Sequence, residues 1–280
     1  MATAATNLAS GKDHKAENFP VASVLLKREH RAPIMAFYRF ARAADDIADH
    51  PTAPPAEKLA RLAAMRAGLT GNGDGVAHAL YKAMAERGID PGHANDLLDA
   101  FERDVTIRRY PDWDSLIGYC RLSAMPVGRF VLDVHGEDRA SWPANDALCA
   151  ALQVINHLQD CGRDYRALDR VYLPADTLAD CGARIEDLAA AQATPALREV
   201  IERLARRTQA LLVQSAGFAG LIRDRRLAAE VAIIHRLAES LAARLLTRDP
   251  LSERVHHRRL EAAIIAARAL AGRLFAKAPA

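Results

Sequence analysis

Apolar residues recur three and four apart through nearly the whole chain, and the two-residue alternation of strands is almost absent. This pattern predicts helices over about 21–29, 31–49, 55–69, 75–87, 91–108, 113–135, 143–167, 194–222, 226–247 and 252–275. The breaks carry turn chemistry: PTAPP (Pro51 to Pro55), GNGDG (Gly71 to Gly75) and RYPDWD (Arg109 to Asp114). A less regular stretch, LDRVYLPADTLADCGA, follows the seventh helix. Each break is short, composition does not shift across it, and no segment repeats at a fixed period. The expectation is an all-α fold over residues 1–280 in one domain, with residues 1–16 as a flexible tail.

Composition adds little to that frame but removes several function classes. Half of the residues are hydrophobic and 26% are charged, so 280 residues can bury a core without disulfides. Cys120, Cys149, Cys161 and Cys181 form no CxxC pair, which suits a reducing cytoplasm and speaks against a zinc site. A net charge of +3 is too small to imply nucleic acid, and RDRR (Arg223 to Arg226) and RVHHRR (Arg254 to Arg259) read as solvated helix faces. The N-terminus lacks the apolar core of a signal peptide, and no apolar run is long enough to span a bilayer. A soluble, cytoplasmic protein is expected. The segment LEAAIIAARALAGRLFAK is apolar on one face and basic on the other, which serves either core packing or peripheral contact with a membrane surface.

Two acidic motifs carry the chemistry. In FYRFARAADDIADH, Asp45 and Asp49 lie four apart, so a helix places them on one face with Cβ atoms about 6 Å apart. Like charges at that spacing destabilise a helix unless a cation sits between them. A hard divalent cation such as magnesium, which takes one or two carboxylates plus water and phosphate oxygens, fits. LQVINHLQDCGRDYR repeats the device with Asp160 and Asp164, preceded on the same face by Gln153 and Asn156. Such a polar stripe is costly to bury without partners. Two aspartate pairs on facing helices would hold magnesium ions that neutralise a diphosphate. Arg42, three before Asp45, shares its face, and Lys27, Arg129, Arg163 and Arg170 are further candidates for the diphosphate. His157, turned about 100° from Asn156, is expected outside the site.

Three segments then resemble one family. NFPVASVLLKREHRAPIMAFYRFARAADDIAD is similar to the opening of the squalene and phytoene synthases. YCRLSAMPVGRFVLDVHG is similar to their central segment, and LQVINHLQDCGRDYRALDRVYLP to their second aspartate motif. The resemblance covers roughly residues 17–245. It implies an isoprenoid-synthase helical bundle with a central cavity and the aspartate motifs on opposing walls. By position it implies Asp45, Asp49, Asp160 and Asp164 as metal ligands supported by Asn156. It also places Tyr38, Arg42, Gln153, Arg170 and Tyr172 near the diphosphate. Tyr119, Ala124, Val127 and Gly128 fall where a central helix breaks beside the reacting carbons, a break that Pro126 suits.

Gln159 stands where the family usually has arginine, and ENFPVAS, PVGR and LQD resemble the bacterial hopanoid-pathway branch, the HpnC type. That branch implies conversion of presqualene diphosphate to hydroxysqualene, with diphosphate released and water capturing a carbocation. A separate synthase supplies the substrate and a flavoprotein reduces the product, so pathway enzymes are expected partners. The faces of Phe37, Tyr38 and Tyr119 are candidates to stabilise the cation, with core packing the other role for Phe37. Two other readings stay open: a synthase that condenses two prenyl diphosphates (farnesyl diphosphate among them) head to head, and a scaffold of the same fold without catalysis. The four intact aspartates favour an enzyme.

Overall fold

The computed structural model describes residues 27–275, with side chains to 272. The expected helix over 21–29 lies outside this range up to residue 26. Its last residues belong to the next helix, α1 (Arg28–Ala48), which runs on through Pro33. Proline removes the hydrogen bond that the Glu29 carbonyl would accept within the helix. The Arg87 guanidinium donates to that carbonyl instead, at 2.5 Å. Ile34, Phe37, Phe40, Ala44 and Ala48 form the buried stripe of α1.

The next elements follow the apolar periodicity: α2 (Pro55–Gly68), α3 (Gly75–Ala85) and α4 (Gly92–Thr106). The expected helix over 113–135 is two. α5 (Trp113–Ser123) ends at Ala124, whose φ of −125° and ψ of −46° leave the helical range, and α6 (Met125–Val134) starts with Pro126 in its first turn. α7 (Trp142–Leu168) is the longest helix and ends at Asp169, which takes the left-handed conformation at φ 52°. The irregular stretch after it contains the short α8 (Ala175–Asp180) and a 3-10 turn at Ile185–Ala189.

Two later ends differ from the expectation because local side-chain bonds win over the apolar pattern. α9 (Pro195–Gln214) stops at Ser215, whose hydroxyl donates back to the Leu212 carbonyl at 3.0 Å, and the short α10 (Phe218–Leu221) follows. After α11 (Arg225–Leu245), α12 (Arg259–Phe275) starts seven residues later than the pattern suggests. Asp249 occupies the gap, accepting from the backbone of Ala193 and Leu251 and from the Ser252 hydroxyl.

α1 packs against α2, α3, α4 and α6, while α7 packs against α5, α6, α9 and α11. α4, α5 and α6 join these groups. Phe37 is buried and stacks on Phe130 with ring centroids 4.0 Å apart, so it is a core residue. Gly128 lets α6 approach α7 closely: a Cβ there would lie 2.0 Å from Asn145 Oδ1. No described helix is long and apolar enough to cross a membrane.

Candidate active site

A cleft of about 340 Å³ opens between α1, α4, α5 and α7. α1 contributes Tyr38, Ala41, Arg42 and Asp45, with Asp49 at its C-terminal cap. α7 contributes Gln153, His157, Asp160, Arg163, Asp164 and Leu168. Most of these recur three or four residues apart, so one stripe of each helix faces the cleft. Phe101 and Asp104 come from α4, and Tyr119 and Ser123 from α5. A strap after α7 adds Arg170 and Tyr172.

The strap alternates like a strand. Val171 bridges Arg109 and donates its N–H to the Arg108 carbonyl at 2.9 Å, while its neighbours Arg170 and Tyr172 both line the cleft.

Each acidic motif meets arginine. Arg42 contacts Asp45 at 2.9 Å and Asp46 at 2.7 Å, and Arg163 contacts Asp160 at 2.6 Å and Asp164 at 3.8 Å. The nearly buried Arg170 reaches Asp49 at 2.6 Å and also donates to the backbone carbonyls of Ala48 and Asp104. Among the described residues, no three histidine, cysteine or acidic side chains converge as a metal-binding group. The four aspartates instead offer hard oxygen donors in two pairs on two walls of one cleft. That fits a cation completing its shell with water and phosphate oxygens, as magnesium does.

Behind these pairs lies a polar cluster that the sequence reading missed. Asp104 is 7% exposed and accepts from the Tyr119 hydroxyl at 2.8 Å and the Tyr172 hydroxyl at 2.9 Å. Burial pushes its carboxyl up to about 6, while Arg170 and the two tyrosines oppose the rise. Burial also holds Tyr119 and Tyr172 well above the usual phenol range. A signal was present: Leu97, Phe101 and Asp104 follow at i, i+4 and i+7, which puts a carboxylate on the apolar face of α4.

His157 belongs in the site, contrary to expectation. It lies one turn after Gln153, stacks on Tyr172 with centroids 3.6 Å apart, and its Nε2 meets Gln153 Nε2 at 3.2 Å. Burial lowers its imidazole to about 3, so it stays neutral. Helix geometry relative to Asn156 was the wrong reference, because Asn156 is not among the lining residues. Lys27 and Arg129 are also set apart from the cleft. Lys27 pairs with Asp224 at 2.7 Å, and Arg129 pairs with Asp146 and lies over the Trp142 ring. Arginine's planar fork finds the nearest carboxylate, and for Arg129 that is on α7.

Comparison with known proteins agrees with this architecture. The family model for squalene/phytoene synthase matches residues 12–261. A hydroxysqualene synthase of Zymomonas mobilis is 54% identical over 97% of this chain and 93% of its own length. One from Rhodopseudomonas palustris is 51% identical over 99% and 97%. The crystal structure of the squalene synthase HpnC from Alicyclobacillus acidocaldarius superposes with a TM-score of 0.71 at 33% identity, covering 80% of this chain and 85% of that one. A dehydrosqualene synthase bound to a ligand, at 20% identity and a TM-score of 0.76, shares the fold. The protein is therefore an enzyme of the squalene/phytoene synthase family, with that family's all-helical fold.

Proposed function

We propose that the protein converts presqualene diphosphate to hydroxysqualene, releasing diphosphate in a magnesium-dependent reaction. The observation that carries this reading is the convergence of Asp45, Asp49, Asp160 and Asp164 with Arg42, Arg163 and Arg170 on one cleft. The near-full-length similarity to two hydroxysqualene synthases supports the choice of substrate and product. Asp45 and Asp49 on one wall, and Asp160 and Asp164 on the other, would hold the metal. Bound magnesium supplies positive charge that makes diphosphate a better leaving group.

The chain's own residues do the rest. Arg42, Arg163 and Arg170 offer forked donors to phosphate oxygens as the C–O bond lengthens. The cyclopropylcarbinyl cation left behind needs shielding from bulk water, and Ala41, Phe101 and Leu168 supply apolar walls. Tyr38, Tyr119 and Tyr172 also line the cleft, where aromatic faces attract a cation. His157, held neutral, puts no competing positive charge beside it. Opening of the cyclopropane and capture by one water give the alcohol.

A second proposed feature concerns the product, which is lipophilic. Leu260 is 73% exposed on α12, Ile264 follows one turn later, and Arg259 and Arg268 are exposed beside them. This arrangement supports peripheral contact with an anionic membrane surface. Sedimentation with anionic vesicles that is unaffected by Leu260→Glu would exclude that contact.

The deciding assay supplies presqualene diphosphate or farnesyl diphosphate in separate reactions, with magnesium and without nicotinamide, and identifies products by mass spectrometry. Hydroxysqualene from presqualene diphosphate is expected. A C30 hydrocarbon or presqualene diphosphate made from farnesyl diphosphate would overturn the reading in favour of a condensing synthase.

A further inference from the structure

Tyr119 and Ser123 are one helical turn apart on α5 and both line the cleft. Their surroundings differ. Tyr119 has committed its proton to Asp104, at 2.8 Å. Toward the cleft its oxygen can only accept. Ser123 Oγ is buried and has no hydrogen-bond partner. A buried orphan hydroxyl in a cavity wall is unusual, since such groups almost always find protein or water.

We propose that Ser123 and Tyr119 hold the water that captures the carbocation, and that Asp104, behind Tyr119, takes the proton this capture releases. The proposal rests on the hydroxysqualene reading. The water oxygen donates an electron pair to the cationic carbon, forming the new C–O bond. One of its protons passes to Tyr119 Oη as the phenolic proton moves to Asp104 Oδ2. The products are the neutral alcohol, an unchanged tyrosine and a protonated Asp104, so atoms and charge balance. Asp104 later returns the proton through Tyr119 to water entering the emptied cleft.

Two further observations fit. Tyr172 bonds the other oxygen of Asp104 and fixes the carboxylate in place. Tyr119 is held far above the range in which it would ionise, so it can relay a proton but not keep a negative charge. Asp104, pushed up to about 6, is ionised at neutral pH yet ready to accept. Asp104 acts through Tyr119 and is a positioning residue. Ser123 and Tyr119 touch the water.

The test uses presqualene diphosphate with magnesium and measures the ratio of alcohol formed to diphosphate released. A cation denied its water loses a C–H proton to diphosphate, and the bonding pair becomes a C=C bond, giving hydrocarbon. Asp104→Asn should lower the alcohol ratio about a hundredfold, the low end of what a positioned proton acceptor contributes. Ser123→Ala and Tyr119→Phe should lower it in the same direction. Because the relay is serial, Asp104→Asn/Tyr119→Phe should be no worse than the more severe single variant. A wild-type ratio in Asp104→Asn overturns the inference, as does a double variant whose losses multiply. If Asp104→Asn does not fold, Ser123→Ala and Tyr119→Phe decide, and unchanged ratios in both overturn it. A wild-type enzyme that makes no alcohol refutes the proposed function itself, a different outcome from alcohol made equally by every variant.

Discussion

Replacing Gly128 by alanine adds a methyl group at the closest approach of α6 to α7. The new Cβ would lie 2.0 Å from Asn145 Oδ1 and 2.7 Å from Cys149 Sγ, where ordinary contact begins at 3.4 Å. Asn145 cannot swing away freely. It is 2% exposed, and its amide donates to the Met125 carbonyl at 3.4 Å and to Asp146 at 3.1 Å. Relief requires α6 to move off α7 by more than about 1 Å, or the Asn145 bonds to break. Overpacking of this kind costs about 1–3 kcal/mol, and the lost hydrogen bonds add about 1 kcal/mol. Alanine returns about 1 kcal/mol through its better helix propensity. The net expectation is a loss of about 1–3 kcal/mol, lowering Tm by roughly 2–5 °C in a chain of this size. Urea unfolding followed by far-UV circular dichroism, with calorimetry for Tm, measures it. Gly128→Ala/Asn145→Ala removes the nearer obstruction, leaving Cys149 Sγ, and should recover part of the loss. A single variant as stable as wild type, or a double variant with strictly additive losses, would refute the close-packing account of this glycine.

Three other outcomes are expected. Asp104 has its carboxyl raised from 3.8 to about 6, so the folded state holds its proton more tightly than the unfolded chain. The stability from that proton is complete below pH 3.8 and is lost as pH rises through about 6. Relative to wild type, Asp104→Asn should therefore gain about 3 kcal/mol across this window and hold it at higher pH; a gap independent of pH in denaturant titrations would contradict the burial argument. Asp45→Ala and Asp160→Ala should each abolish turnover while the far-UV spectrum stays helical, and full activity in either would remove that carboxylate from the metal assignment. His157→Gln should change the height of the activity profile between about pH 5 and 8 but not its shape, because the imidazole is neutral throughout; a shifted limb would show that it titrates.

What the sequence made legible was whatever a single helix encodes. Asp45 with Arg42, and Asp160 with Asp164, share faces because 3.6 residues make a turn, and the structure puts those faces on one cleft. Partners on other elements stayed hidden. Asp104 meets Tyr119 and Tyr172 across 15 and 68 residues of chain, and no periodicity announces such a pair. The Arg129 partner was hidden for the same reason, since Asp146 lies on the next long helix. Helix ends at Gln214 and Arg259 were missed where Ser215 and Asp249 divert backbone groups that the apolar pattern would have left in a helix. The break at Ala124 was signalled only by the family resemblance and by Pro126.

The strap from Asp169 to Tyr172 has a consequence for how this chain can vary. Asp169 turns the backbone in the left-handed region, and Arg109 donates to both its carbonyl and its carboxylate. From that fixed point, successive residues alternate between the cleft and the neighbouring Arg108–Arg109 segment. Losing or gaining one residue here would exchange Arg170 and Tyr172 for their neighbours at a stroke, as a register slip does in a sheet. A point substitution at either position removes one contact, but a one-residue indel removes the Asp49 and Asp104 contacts together. Divergence among descendants of this protein should therefore alter the letters of this segment while keeping their count, and should spend its insertions in open turns such as Gly71 to Gly75.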